Sequence, residues 1–215
     1  MPQLRSPRIW GTFSAAGGVG ATTLTFHLAR LAAKCGARVL VVESASFAPL
    51  REILQCTPPF WEDYRIATAI SDDAMPRLTR AGFALLTRRY SNPLTPEHFS
   101  FVMSQVTESF DLVLLDNPPQ QLGGSGRVFV AENTLPSLIG LNNLVAICKP
   151  EIFLLNKFTA RVKKKSAIEG FVIDARTFQI PTSPDLALAL SFGINYKIAK
   201  RNEKVLSAIL AEMLR

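Results

Sequence analysis

The feature that most constrains the fold is a glycine-rich loop between a short apolar run and a helical run. Residues 14–23 read Ser-Ala-Ala-Gly-Gly-Val-Gly-Ala-Thr-Thr, and the helical run begins at Thr22. Strand, loop and helix in this order are typical of phosphate-binding loops, whose ordinary pattern is G-x-x-x-x-G-K-[ST]. Gly20 and Thr22 match that pattern, whereas Ala15 and Ala21 stand where it has its first glycine and its lysine.

The loop keeps the backbone part of a phosphate site and lacks the charged part. Successive backbone amides and a helix N-terminus attract an anion without any side-chain charge. Gly17, Gly18 and Gly20 allow the close backbone approach that this requires, and Thr22 offers a hydroxyl to magnesium. A charge-assisted hydrogen bond is worth roughly 1.5–3 kcal/mol, so the missing lysine lowers the affinity about 10- to 150-fold. We expect hydrolysis to be very slow or absent, because phosphoryl transfer relies on electrostatic stabilisation.

Strand-like and helical runs alternate along the chain, and several apolar runs are apolar on both faces, as in buried parallel strands. The predicted strands are Ile9–Phe13, Arg38–Glu43, Phe83–Thr87, Leu112–Asp116, Leu144–Cys148 and Phe171–Asp174. The predicted helices are Thr22–Cys35, Pro96–Glu108, Ile152–Lys164, Pro184–Phe192 and Asn202–Leu214. This alternation predicts an α/β fold with a doubly wound, mostly parallel sheet, formed by residues 1–215 as a single domain.

Composition limits the class of protein. The hydrophobic fraction is 48%, yet no apolar stretch is long enough to span a membrane. We expect no signal peptide, and the scattered Cys35, Cys56 and Cys148 fit a reducing cytoplasm. His27 and His98 are the only histidines, which excludes a histidine-rich metal site. The net charge of +7 favours either an anionic partner or a solvated basic surface.

Residues Ala16–Thr23, the helix ending at Ala37 and the strand Arg38–Glu43 resemble the MinD/ParA superfamily of deviant Walker A P-loop ATPases. That family carries K-G-G-x-G-K-T-T, and both of its lysines are alanine here, Ala16 and Ala21. The resemblance implies the P-loop NTPase fold and ATP or ADP with Mg²⁺ as cofactor. The two missing lysines imply that nucleotide binds weakly or not at all, and they count against ATP-driven dimerisation.

Two further segments extend the resemblance. Phe110–Pro119 is similar to the Walker B strand with its following prolines, and Ile180–Asp185 is similar to the loop beside the adenine. The resemblance implies catalytic positions at Glu43 and Asp116, with Glu43 in place of the usual aspartate, and magnesium ligation by Thr22 and Asp116. Nucleotide contacts are implied for Gly17, Gly18, Val19, Gly20, Ala21, Thr22, Thr23, Asp174 and Pro181.

Loops of this divergent type resemble two subgroups of the superfamily, the TadZ/CpaE proteins of pilus assembly and the BcsQ-like proteins of cellulose secretion. The resemblance implies a nucleotide-binding or pseudo-ATPase protein that positions, regulates or scaffolds a bacterial envelope assembly. Its partners would be proteins of that complex and a second copy of the chain, in the cytoplasm or peripherally at the inner membrane. Two alternatives stay open: a slow ATPase that patterns DNA or membrane, and an interaction module with an empty loop.

Three candidates lie outside the loop. Lys149, at the end of a predicted strand, is a candidate replacement cation, although we favour a solvated loop lysine. Lys157, Arg161 and Lys163–Lys165 form a basic run that contacts DNA or acidic lipid, or simply complements a helix C-terminus, which is the interpretation we favour. The final helix, Asn202–Leu214, is either a membrane-contacting amphipathic helix or a helix packed on the sheet, and we favour packing.

Overall fold

The strands of the described part of the chain form one parallel sheet. The computed structural model describes residues 7–44, 49–56, 60–64, 75–88, 95–119, 124–158, 174–192 and 197–215. The strands are β1 (Arg8–Ser14), β2 (Val39–Glu43), β3 (Ala84–Leu86), β4 (Leu112–Asp116), β5 (Gly126–Ala131), β6 (Ile152–Phe158) and β7 (Arg176–Pro181). Their order is β3-β2-β4-β1-β5-β6-β7, and neighbouring strands pair in parallel. The predicted doubly wound parallel sheet is therefore confirmed.

Helices cover both faces of this sheet. They are α1 (Ala21–Lys34), α2 (Pro49–Leu54), α3 (Pro96–Val106), α4 (Leu135–Ile147), α5 (Pro184–Phe192) and α6 (Lys200–Met213). In the described ranges, none of these helices is long and apolar enough to cross a membrane. The predicted helices at the chain positions of α1, α3, α5 and α6 are confirmed to within a few residues.

The core lies on the two faces of the sheet because each central strand is apolar on both sides. In β2, Val39 and Val41 pack in a cluster with residues of α1 and α6. Leu40 and Val42, which point the other way, pack in a cluster with residues of α3. All four side chains are fully buried. Because successive side chains of a strand point to opposite faces, one helix layer packs on each face of the sheet. The carboxyl ends of the strands are then available to form a site.

The predictions around residues 144–164 are wrong in two places. The predicted strand Leu144–Cys148 is the last turn of α4 and its C-terminal cap, because the apolar run begins earlier, at Leu135, and is helical throughout. The predicted helix Ile152–Lys164 begins instead with β6, and the part after residue 158 lies outside the described residues. Short apolar runs fit a buried strand as well as a buried helix, so sequence periodicity alone does not separate them.

The last strand lies further along the chain than predicted. Of the predicted strand Phe171–Asp174, only Asp174 is described, and it precedes β7 instead of ending a strand. β5, which was not among the predicted strands, pairs directly with β1. It completes the central part of the sheet beside the glycine-rich loop.

Candidate functional site

The glycine-rich loop joins the carboxyl end of β1 to the start of α1, at the centre of the sheet. Gly18 and Gly20 have φ angles of 78° and 93°, the left-handed region that glycine adopts without strain. Among the residues that the structure describes, an added Cβ atom would meet nothing within 4 Å at Gly17 or at Gly18, so they leave the outer side of the loop open. Gly20 is the N-cap of α1 and has no side chain to accept from the first turn, which also lacks an acidic residue. The start of α1 therefore presents free amide donors and a positive dipole end to an anion.

Three neighbouring elements fix the inner side of the loop. The amide of Ala15 donates to the carbonyl of Val130 in β5, at 2.9 Å. In α4, a Cβ atom on Gly140 would overlap the carbonyl oxygen of Ala15. Asn156 of β6 is 7% exposed, and its Nδ2 donates to the carbonyl of Val19 at 2.7 Å. Contacts with β5, α4 and β6 therefore fix the inner side of the loop.

Asp116 lies at the base of the loop and is bonded to α1. The hydroxyl of Thr22 donates to Asp116 Oδ2 at 2.7 Å, and the hydroxyl of Thr25 lies 3.4 Å from Oδ1. Burial raises the pKa of Asp116 to about 6, and the two threonine hydroxyls act in the opposite direction. The predicted metal ligands Thr22 and Asp116 are therefore adjacent, and both present hard oxygen atoms.

These two residues fit a magnesium ion. Mg²⁺ is held by one or two carboxylates and takes its remaining ligands from water and substrate phosphates. The pair formed by Thr22 and Asp116 supplies one carboxylate and one hydroxyl, directly beside the open side of the loop. A site of this kind needs no cluster of acidic residues, and the described residues contain no group of three or more His, Cys, Asp and Glu side chains suited to a metal.

Asn117 is a site residue to which the sequence analysis assigned no role. It follows Asp116 with a φ of 47°, a conformation that asparagine tolerates better than most residues. Its Oδ1 accepts hydrogen bonds from the amide of Ser14 at 3.0 Å and from the hydroxyl of Ser14 at 2.5 Å. Asn117 thereby joins the ends of β4 and β1 at the entry to the loop. In the sequence, an asparagine directly before two prolines indicates a turn after β4, since these residue types favour turns.

Glu43 ends β2 beside Asp116, with which it is paired in register. It is 1% exposed, and both of its carboxylate oxygens are engaged by the protein. Oε1 accepts from the amide of Leu50 at 2.6 Å, and Oε2 accepts from the hydroxyl of Thr87 at 3.0 Å. Burial raises the pKa of Glu43 to about 7. The predicted catalytic role of Glu43 stays a prediction, and the observed contacts are structural, joining β2 to α2 and to the end of β3.

Residues from β6 and from the β7–α5 connection surround a cavity beside the loop, of about 200 Å³. Pro181 lies in its lining, and its predicted nucleotide contact stays a prediction. The described residues lining it are Gly18, Gly20, Thr23, Leu24, Asn156, Lys157, Pro181, Ser183, Leu186 and Ala187. Val19 and Ala21 are buried and are not among the residues that line this cavity.

Two predicted residues lie at the other edge of the sheet. Arg176 pairs with Ile152, the first residue of β6, so Asp174 precedes β7 at the amino ends of the strands. Lys149 likewise precedes β6 instead of ending a strand. The loop lies at the carboxyl ends, and six residues of strand span roughly 20 Å. Neither Asp174 nor Lys149 is therefore placed to contact a ligand in the loop.

Lys157 is a charged residue of β6 that reaches the loop. Its Nζ donates to the carbonyl of Gly18 at 2.7 Å and forms an ion pair with Glu132 at 2.5 Å. Lys157 is the first residue of the predicted basic run, but it lies at the carboxyl end of β6 and not in a helix. The rest of that run, Arg161 and Lys163–Lys165, lies outside the described residues. An Asn-Lys pair that ends an apolar run was the signal available in the sequence.

A parallel sheet with a glycine-rich loop between its central strand and a helix defines a P-loop nucleotide-binding protein. The family model of the CobQ/CobB/MinD/ParA nucleotide binding domain matches residues 11–196, and the chain therefore belongs to this family. No curated protein sequence matches the chain significantly.

Similar solved structures include several members of this superfamily. A ParA family ATPase from Chlorobium tepidum has a TM-score of 0.76 and 18% identity, with coverage of 95% of this chain and 98% of that chain. The septum site-determining protein MinD from Pyrococcus horikoshii, complexed with Mg-ADP, has a TM-score of 0.69 and 21% identity, with coverage of 96% and 95%. The MinC:MinD complex from Aquifex aeolicus has a TM-score of 0.75 and 17% identity, with coverage of 96% of both chains. At these identities the likeness establishes the fold.

Proposed function

We propose that this protein binds ATP or ADP with Mg²⁺ in the glycine-rich loop and acts as a nucleotide-responsive switch or scaffold, with little or no hydrolysis. The observation that carries the proposal is the open loop at Gly17 and Gly18 beside the bonded pair Thr22 and Asp116. Free amides at the start of α1 and two hard oxygen ligands are together a minimal site for a phosphate chain and a magnesium ion. The MinD relative from Pyrococcus horikoshii is complexed with Mg-ADP, which supports this choice of ligand.

Each part of the site has a defined task. The backbone of residues 17–23 would hold the phosphates, and Thr22 and Asp116 would hold Mg²⁺, which neutralises phosphate charge when it is bound. Pro181 and Asn156, which line the cavity, would lie beside the nucleoside. Both carboxylate oxygens of Glu43 accept hydrogen bonds from the protein. Glu43 is therefore poorly available to orient an attacking water, and this favours slow or absent turnover.

The cellular role follows from the resemblance and is proposed with it. Loops without the family lysines resemble those of the pilus and cellulose-secretion subgroups, so we assign the protein to a bacterial envelope assembly as a positioning or regulatory component. Its partners would be proteins of that assembly and, across the nucleotide face, a second copy. The MinD relative from Aquifex aeolicus is a complex with the protein MinC, which supports a protein partner.

Calorimetric titration with ATP and with ADP, in the presence and absence of Mg²⁺, tests the binding proposal. Asp116→Asn is expected to weaken Mg-ATP binding at least about tenfold, because it removes the carboxylate charge. Binding without Mg²⁺ should change little. Asp174→Asn is the matched control, since Asp174 lies at the opposite edge of the sheet, and its affinity should equal that of the wild type.

A turnover assay then separates the alternative functions. We expect phosphate release near the buffer background, with and without lipid vesicles or duplex DNA. Turnover stimulated by DNA or lipid would favour the slow ATPase that patterns these surfaces. No nucleotide binding by the wild type at millimolar concentrations would contradict the proposal and would leave the interaction module with an empty loop.

A further inference from the structure

A second cavity, of about 330 Å³, lies between α1 and the start of α6. The α1 residues that line it follow each other at helical spacing and so share one face of the helix; they are His27, Arg30, Leu31 and Lys34. The other described lining residues belong to α6 and the segment before it: Lys197, Ile198, Lys200, Glu203 and Leu206. None of these residues lines the cavity beside the glycine-rich loop.

The described lining of this cavity carries an excess of positive charge. Its four cationic side chains are those of Arg30, Lys34, Lys197 and Lys200, and Glu203 is the one acidic side chain among the described lining residues. Burial lowers the pKa of His27, so its ring adds no charge at neutral pH. Cations that surround one cavity repel each other, and an anion between them is attracted by all of them. The cavity therefore favours a ligand with several negative charges.

The floor of the cavity is buried and its rim is exposed. His27 and Leu206 are buried, whereas Lys34, Lys197 and Lys200 are exposed and can meet a dissolved ligand. Arg30 is partly buried, and burial lowers the pKa of its guanidinium. A cation that is partly withdrawn from water attracts an anion more strongly than a fully solvated cation does.

The positions of the cations favour phosphate over carboxylate. Arg30 and Lys34 approach from α1, and Lys197 and Lys200 approach from the opposite side of the cavity. A phosphate group offers three strong acceptor oxygens that point in different directions, whereas the two oxygens of a carboxylate lie in one plane. Two linked phosphate groups would also match the excess of positive charge better than one.

We propose that the cavity between α1 and α6 is a binding site for a diphosphate group, either as the free anion or as part of a small ester. The four cations bind the phosphate oxygens, and the apolar side chains of Leu31 and Leu206 contact the uncharged part of an ester. This site is separate from the glycine-rich loop. The inference goes beyond the proposed function and does not require a nucleotide in the loop.

His27 is a convenient reporter for the test, because the chain has only two histidines whose ring signals can be followed by NMR. The His27 ring lines the cavity, and its Nε2 lies 2.9 Å from the carbonyl oxygen of Leu186. We expect inorganic diphosphate, added without Mg²⁺, to shift the His27 signal saturably. The signal of His98, whose ring bonds to the carbonyl of Tyr64, should stay in place. Tighter binding of butyl diphosphate would identify an ester as the preferred form, and equal binding the free anion.

Lys34→Gln combined with Lys197→Gln removes one cation from each side of the cavity. We expect this double variant to bind diphosphate about fivefold more weakly or worse, as for two partly solvated ion pairs. Lys204→Gln, at an exposed position of α6 outside the lining, is the matched control and should bind like the wild type. Citrate, which carries a similar charge on planar carboxylates, should bind the wild type more weakly than diphosphate does.

Binding in the loop is distinguished from binding in this cavity. α1 rises roughly 20 Å between the loop and Lys34, so the double variant should bind Mg-ATP like the wild type. A His27 signal that does not move at millimolar diphosphate would overturn the inference while the proposed function stands. A diphosphate affinity that the double variant leaves unchanged, or that Lys204→Gln lowers equally, would overturn it too. Equal binding of citrate and diphosphate would refute the phosphate class. Thermal melting verifies that the variants are folded.

Discussion

Gly140 of α4 lies so close to Ala15 that a Cβ atom on the glycine would overlap the alanine carbonyl oxygen. This contact joins a helix on one face of the sheet to the first residue of the glycine-rich loop. The amide of the same Ala15 donates to Val130 of β5. The start of the loop is therefore fixed from two directions, and a change on α4 acts directly on the loop.

Gly140→Ala is predicted to lower the free energy of unfolding by about 1–3 kcal/mol, because the helix or the loop must shift to relieve the overlap. In a helix without this overlap, alanine is more stable than glycine by roughly 0.5–1 kcal/mol. A lower free energy of unfolding would therefore be caused by the overlap with the Ala15 carbonyl. Urea denaturation measures the change, and calorimetry should show weaker Mg-ATP binding. The exposed Asn143→Ala on the same helix is the control. A Gly140→Ala protein as stable as Asn143→Ala would contradict the prediction.

Glu43 is predicted to make stability fall as pH rises. Burial raises its pKa from 4.5 to about 7, so between these values the folded state holds a proton that the unfolded state has released. Ionisation of the buried Glu43 lowers the free energy of unfolding. This loss is absent below about pH 4.5, grows as pH rises, and is complete above pH 7. Glu43→Gln keeps a neutral side chain of the same shape at every pH.

The expected result is that Glu43→Gln gains stability relative to the wild type by about 2 kcal/mol between pH 5 and pH 8. Urea denaturation of both proteins at the two pH values gives this difference, and contributions from titrating groups that do not interact with Glu43 cancel. Glu52→Gln, at an exposed position of α2, is the matched control for the same change of side chain. A difference between wild type and Glu43→Gln that stays constant from pH 5 to pH 8 would rule out the raised pKa.

Returning a lysine to the loop is predicted to strengthen nucleotide binding. Ala21→Lys should raise the affinity for Mg-ATP about 10- to 150-fold, the value of one charge-assisted hydrogen bond. Ala146→Lys, at an exposed position of α4, adds the same charge elsewhere and should have little effect. Calorimetry on both variants, after thermal melting confirms that they fold, is the measurement. If Ala21→Lys binds no better than Ala146→Lys, the missing charge does not limit affinity.

The final helix is predicted to contribute to the core and not to a membrane contact. Ile209 of α6 is fully buried, and Ile209→Ala should cost about 2–5 kcal/mol in the free energy of unfolding. The exposed Lys204→Ala should change stability by less than about 0.5 kcal/mol. Since the apolar side of α6 is already covered, the intact protein should stay in the supernatant when anionic phospholipid vesicles are sedimented. Sedimentation that requires residues 200–215 would contradict this.

The central part of the fold could be predicted because its signals are local. The glycines, the helix starting near Thr22 and the buried strand ending at Asp116 each follow from a few consecutive residues. That is why the loop, α1 and β4 were predicted close to their observed bounds. Thr22 and Asp116 lie together because they belong to elements that begin or end at the same edge of the sheet, and their predicted ligation of magnesium stays a prediction.

The Asn-Lys pair was a weak signal for the cation at the loop, because the position of Lys157 depends on tertiary pairing. Residues 152–158 are compatible with a helix as well as a strand, and they become a strand by pairing with β5 and β7. Assigning them to a helix placed Lys157 in a solvated basic run and left Lys149 as the candidate near the site. The shift of register between β6 and β7 beside Lys157, which directs its side chain to the loop, has no signal in the sequence.

The contacts of Asn156 and Lys157 with the carbonyls of Val19 and Gly18 have an entropic consequence for binding. A flexible glycine loop must lose conformational freedom when it closes around an anion, and that loss weakens binding. In this protein the two carbonyls are already tied to β6 before any ligand arrives, so the loop is preorganised and most of the ordering accompanies folding instead. For the nucleotide binding proposed above, this rigidity would offset part of the affinity lost with the family lysines.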